Sequence, residues 1–195
     1  MTDPIFEQEK SHLEDTLNKV KTAKETVEQT IKSLGMANLD RLVELRESSE
    51  KGLDFEIFIE QLHEKNQTLN IKAKFRQIEE LNYLITEPYF ARIDLKTAGS
   101  EKIHTIYIGK FGYSEEQPVV TDWRAKVASV FYKYRYPQKN VSYETPEGTV
   151  TRDLTLKRTF EVDEGTLVKY YNNDIQFDER DIVIKKISDR TGGVL

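Results

Sequence analysis

Apolar residues in the first part of the chain recur at alternating steps of four and three: Phe6, Leu13, Leu17, Val20, Val27, Ile31 and Leu34, with Lys10 and Lys24 in the two remaining slots. A seam this narrow, held for about four heptads, predicts a coiled-coil helix rather than a face laid on a broad core. Asp3-Pro4 supplies its start, a carboxylate cap followed by proline at the first helical position, and Gly35 its end. A second long helix is predicted from Asp54, with Leu53 and Phe58 stapled around the cap. Its seam begins with Phe55, Ile59, Leu62, Leu69 and Ala73, then widens through Ile71, Phe75, Ile78, Leu81, Leu84 and Ile85. Two such helices make a long antiparallel hairpin, an arm over residues 1–86. Pro88 cannot continue a helix, so the second one is expected to stop there.

The connection between the helices, Met36 to Gly52, is too long for a minimal turn. Leu39, Leu42 and Val43 predict a short helix across the tip, at about residues 36–53. Asp40, Glu44 and Glu47 stand at i, i+4 and i+7, which places three carboxylates on one helix face. Such a face is ordinarily just solvated. The functional alternative is an acidic tip aimed at a cation or a basic channel.

From Glu87 the pattern changes. Glu87-Pro88-Tyr89-Phe90-Ala91-Arg92-Ile93-Asp94 reads as the joint between arm and body, and short strands with glycine turns follow. Strands are predicted over Ile103–Ile108, ended by Gly109, and over Val119–Trp123. Two hairpins follow, one turning at Pro146-Glu147-Gly148 and one at Asp163-Glu164-Gly165. Val127, Val130, Phe131 and Tyr134 fit a short helix, while Val130, Tyr132 and Tyr134 fit a strand; the pattern leaves both open. Asp174 to Ile187 is amphipathic and predicts a C-terminal helix. The fold class is thus α+β: a coiled-coil arm, a small and mainly antiparallel β body over 87–188, and a linker over 189–195.

Composition narrows the chemistry. Without cysteine, disulfides and thiolate zinc sites are excluded. No apolar run nears the ~20 residues that span a bilayer, so no membrane role and a cytoplasmic location are expected. The net charge of −5 is uneven: residues 1–86 hold 17 acidic and 12 basic side chains, and residues 87–195 hold 17 of each. A free-standing DNA binder normally shows the opposite bias.

Catalytic signals are scarce. His12, His63 and His104 are scattered, and Gly109-Lys110 runs into Phe111 rather than a phosphate loop. Asp94 and Asp122 are conceivable paired acids, but strand-end aspartates more often bind backbone amides or arginines. No catalytic residue, metal site or cofactor is therefore expected in these residues. Asp122-Trp123-Arg124 reads as a core tryptophan beside a local ion pair. Phe131-Tyr132-Lys133-Tyr134-Arg135-Tyr136 interleaves aromatics with cations, as a base-stacking surface would or as a strand with one packed and one wet face.

Five blocks occur in order: EPYFARID, IYIG, DWRA running into FYKY, YETPEG, and LKRTF before an acidic-glycine turn. Together they resemble the N-terminal region of HelD, the bacterial RNA polymerase-recycling ATPase of the UvrD-like helicase family. The resemblance covers nearly the whole body and is weaker over the arm. It implies a coiled coil that enters the secondary channel of RNA polymerase, on a globular part that mounts it on a motor. By it, Asn38-Leu39-Asp40 falls at the tip facing the polymerase magnesium, with Asp40 and Glu44 as contact residues. Tyr89, Phe90, Arg92, Asp94, Asp122, Trp123 and Arg124 carry the body motifs, as structural or interface residues. Arg41 departs from the pattern where further acid is expected, and Lys126 where the family has proline. The resemblance also implies a larger parent whose motor follows these residues, holds ATP and Mg²⁺, and supplies any nucleic-acid contact. The partners implied are core RNA polymerase and that motor. A Gre-like secondary-channel factor and a nucleic-acid-binding accessory domain are the alternatives.

Overall fold

Asp3 opens the first helix as its composition predicts: the Asp3 carboxylate accepts the Ile5 N–H at 2.9 Å, and Pro4 takes the first helical position. The computed structural model describes residues 3–33, 68–172, 174–177 and 184–187. Helix α1 runs Pro4–Ser33 and α2 runs Thr68–Thr86, stopping two residues before Pro88. The predicted start at Asp54, the tip helix and residues 189–195 lie outside the described residues. The antiparallel hairpin therefore rests on the sequence pattern.

Two compact units divide the chain, Met1–Leu17 with Leu84–Leu195, and Asn18–Tyr83; the boundary falls inside α1. In the second unit Val20, Val27 and Ile31 of α1 are buried, as are Phe75, Ile78 and Leu81 of α2. These are the seam positions that the heptad pattern selects. Thr22, Thr26 and Thr30 return their hydroxyls to the carbonyls four residues back, which lets a helix carry these β-branched side chains.

The first unit is built on a mainly antiparallel sheet. Its strands are β1 (Ala91–Lys96), β2 (Ile103–Gly109), β3 (Tyr113–Ser114), β4 (Pro118–Asp122), β5 (Gln138–Thr145), β6 (Gly148–Asp163) and β7 (Thr166–Asn172). The order is β3-β4-β2-β1-β6-β5, with β7 also on β6; among the described residues only β2 and β4 pair in parallel. The stretch read as a joint enters this sheet as its central strand. β1 pairs with β2 on one edge and with β6 on the other. The two predicted hairpins share β6, one continuous strand whose first half pairs with β5 and whose second half pairs with β7. The Glu164-Gly165 turn has positive φ at both residues, the backbone of a type I′ hairpin.

Alternation along β1 sorts the two faces. Ala91, Ile93 and Leu95 join Ile108, Val141, Leu154, Ala128 and Val130 in the apolar core on one face. Ala128 closes a 3-10 turn (Lys126–Ala128), and Val130 belongs to α3 (Ser129–Lys133). The segment at 126–133 is thus helical, with Tyr134 extended just past its end, and the strand reading of it is set aside. Arg92, Asp94 and Tyr107 point to the other face, where the first turns of α1 lie.

The C-terminal helix predicted over 174–187 is corrected. Asp174–Phe177 (β8) and Ile184–Ile187 (β9) form an antiparallel two-stranded sheet. The stretch 182–187 carries three isoleucines and a valine, and β-branched side chains of this kind favour strands over helices.

Candidate functional site

On the α1 face of the sheet, one buried carboxylate gathers three donors. Glu9 is 1% exposed. Its Oε1 accepts Arg92 Nη1 at 2.7 Å and also Arg158 Nη1, while its Oε2 accepts the Tyr107 hydroxyl at 2.9 Å. Each arginine has a second partner. Arg92 forks onto Asp94 with Nε and Nη2 at 2.9 and 2.8 Å, and Arg158 Nε donates to Asn172 Oδ1 at 2.6 Å. The cluster is satisfied on every side, which a buried charge requires. Strand register explains the assembly: Arg92 lies opposite both Tyr107 and Arg158, so three side chains reach the same spot from three strands.

Aromatic rings close over it. His12 of α1 stacks on Tyr107 with centroids 3.9 Å apart, and Tyr89 packs on Tyr107 at 4.7 Å and on Phe160 at 5.3 Å. Burial, reinforced by the Glu9 charge, pushes the Tyr107 phenol far above its ordinary range. Burial first, then Tyr107 and Glu9, does the same to Tyr89, whose hydroxyl is buried without a hydrogen-bond partner. For Arg92, desolvation would lower the guanidinium, and the bond to Asp94 with the neighbouring charges overrides it and raises it. At neutral pH both phenols are therefore protonated and the Arg92 guanidinium is charged. The cluster works as an ionic lock between the start of α1 and the sheet.

The other predicted body residues lie apart from it. Phe90 turns to the opposite face and meets Phe131 edge-on at 6.0 Å. Asp122 binds Arg124 through two side-chain contacts, at 2.9 and 2.6 Å, and the Arg124 N–H at 2.8 Å. The Arg124 hydrogen bond holds the Asp122 carboxyl below its usual range. Asp94 and Asp122 are each bound by an arginine two residues away, an arrangement that does not suit paired acid–base work. The ion pair at 122–124 is as predicted, but the tryptophan is not in the core. Trp123 is 47% exposed, because it follows the end of β4 at a turn and leaves the sheet surface to lie edge-on to Tyr132 at 6.4 Å. Tip residues Asp40, Glu44 and Glu47 lie outside the described residues.

Sequence reasoning missed Glu9, Arg158, Tyr107 and Lys157. Glu9 did leave a signal, an acid one position from the Lys10 slot of the apolar seam. Lys157 is one of the two cations of the LKRTF block, and its ammonium donates to the carbonyls of Phe131 and Tyr134 at 2.6 and 2.9 Å, closing the end of α3. A cleft of about 470 Å³ runs beside β2, lined by Ile103 to Tyr107, Gln117 and Pro118. Among the described residues no group of three or more His, Asp or Glu side chains is placed to hold a metal ion. Among them, too, no helix is long and apolar enough to cross a membrane.

A helix locked by buried charge onto a mixed sheet defines a helix-bearing α+β domain. Residues 6–185 match the family model described as DNA helicase IV HelD, N-terminal domain, and the chain belongs to that family. No curated protein matches it.

Proposed function

We propose that this chain is the RNA polymerase-binding module of a HelD-like ATPase. Its helical arm enters the secondary channel of bacterial RNA polymerase in the cytoplasm, and the sheet-based unit mounts the arm on the motor. The family match across residues 6–185 carries this reading. The narrow seam of Leu13, Leu17, Val20, Val27 and Ile31, all buried, supports it as the pattern of a helix that pairs along one stripe. Asp40, Glu44 and Glu47 act as the acidic tip that approaches the polymerase magnesium. ATP and Mg²⁺ binding, turnover and contact with the bulk of the nucleic acid belong to the motor of the parent protein. The module itself is not an enzyme: it helps to release and recycle stalled polymerase.

A transcript-cleavage assay on stalled elongation complexes tests the assignment. The chain is expected to bind the complexes without stimulating cleavage. Stimulation by the wild-type chain that disappears in Asp40→Ala would overturn the reading in favour of a Gre-like cleavage factor.

A further inference from the structure

The surface around Trp123 and Tyr132 is left unused by the proposed role. Large aromatic side chains ordinarily bury most of their area, yet Trp123 is 47% and Tyr132 54% exposed. Their rings stand nearly perpendicular, at 77°, with centroids 6.4 Å apart. Behind them Phe131 supports Tyr132 edge-on at 5.1 Å, and Lys157 fixes the carbonyl end of α3. Tyr132 is thus braced by Phe131, and Trp123 lies edge-on against Tyr132.

Charge along the segment that carries them is one-sided. From Trp123 to Asn140 the chain carries Arg124, Lys126, Lys133, Arg135 and Lys139 and no acidic residue. All five cations are exposed. The nearest acid in sequence, Asp122, is bound by Arg124. This concentration stands in a chain of net charge −5, so it is a local feature rather than a product of general basicity.

We infer that the Trp123–Tyr132 surface binds single-stranded nucleic acid, with bases stacked on the two rings and phosphates held by the flanking cations. Exposed rings give sequence-tolerant stacking to any base whose face is free, and lysines and arginines that track the backbone supply the rest. A duplex hides its base faces, so the site discriminates against it. An acidic polypeptide satisfies the charges but leaves the rings without a stacking partner. The site is independent of polymerase.

Trp123 is the single tryptophan of the chain, so its fluorescence reports on the site directly. Titration of the full chain with a short oligothymidylate at low salt is expected to quench this emission. Tyr132→Ala, at an exposed position, is expected to keep the far-ultraviolet circular dichroism of the wild type and to weaken binding about five-fold or more. The double change Lys133→Ala/Arg135→Ala should reduce the slope of log affinity against log salt by about 1.4. Three results would overturn the inference: no quenching with excess oligonucleotide, equal binding of polyglutamate, or a Tyr132→Ala variant that binds as the wild type does.

Discussion

Lys157 and Arg158 are neighbours in β6 and anchor opposite faces of the sheet. Lys157 reaches through to the carbonyls that end α3, and Arg158 reaches the other way to Glu9 of α1. Period-two alternation sends two adjacent cations to two different helices. The LKRTF block is therefore a pair of clamps, and its two charges do structural work on either side of one strand.

Removing the carboxylate tests the α1 clamp. Glu9→Ala leaves Arg92 and Arg158 facing each other in a buried site, and loss of one partner of such a cluster costs about 3–5 kcal/mol. Urea unfolding of the variant should show this loss in its midpoint. A change under about 1 kcal/mol, the scale of a surface pair, would contradict the lock.

The two buried phenols predict opposite outcomes for the same chemical change. Tyr107→Phe removes a donor from a charged, buried acceptor and should cost about 1.5–3 kcal/mol. Tyr89→Phe removes a hydroxyl that is buried without a partner, so it should be neutral or mildly stabilising. Parallel unfolding curves of the two variants decide this, and equal losses would contradict the described bonding.

Alkaline pH supplies a third test. The folded-state phenols of Tyr89 and Tyr107 are both raised, chiefly by burial. Their contribution to stability is complete below the unfolded phenol value of about 10 and is lost as pH rises from there through the raised folded values. Phenolate absorbance should show these two of the ten tyrosines ionising late, together with unfolding. Ten tyrosines that titrate alike near pH ~10 in a folded protein would contradict it.

The β6–β7 turn also meets the end of α2. The Gly165 N–H donates to the Thr86 carbonyl at 2.8 Å, and a Cβ on Gly165 would lie 2.9 Å from the Ile85 carbonyl oxygen. Gly99 shares its φ of +73° but has nothing within 4 Å of such a Cβ. Gly99→Ala should therefore cost only the left-handed strain, about 1–2 kcal/mol, and Gly165→Ala clearly more. Matched thermal or urea unfolding separates them. Equal costs would mean that the contact with α2 contributes nothing.

The readable parts of this fold were those fixed by local pattern. Alternation and turn chemistry located β2, β4 and both hairpins, and Asp3-Pro4 and Pro88 marked helix ends, because each depends on neighbouring residues alone. What escaped depends on distant partners. Glu9 meets Arg92 across 83 residues and Arg158 across 149, and no local period announces such a pair. The residue type of Trp123 favours the core, but its place just past the end of β4 sets its exposure. The 174–187 stretch failed for a third reason: its apolar spacing suits a helix, while its β-branched residues follow the strand preference.

Binding to core RNA polymerase tests the central claim most directly. The chain should be retained by immobilised polymerase, be displaced by a known secondary-channel factor, and lose affinity in the tip variant Asp40→Ala/Glu44→Ala. Retention that a saturating secondary-channel factor leaves unchanged, or wild-type affinity in the tip variant, would contradict insertion of the arm.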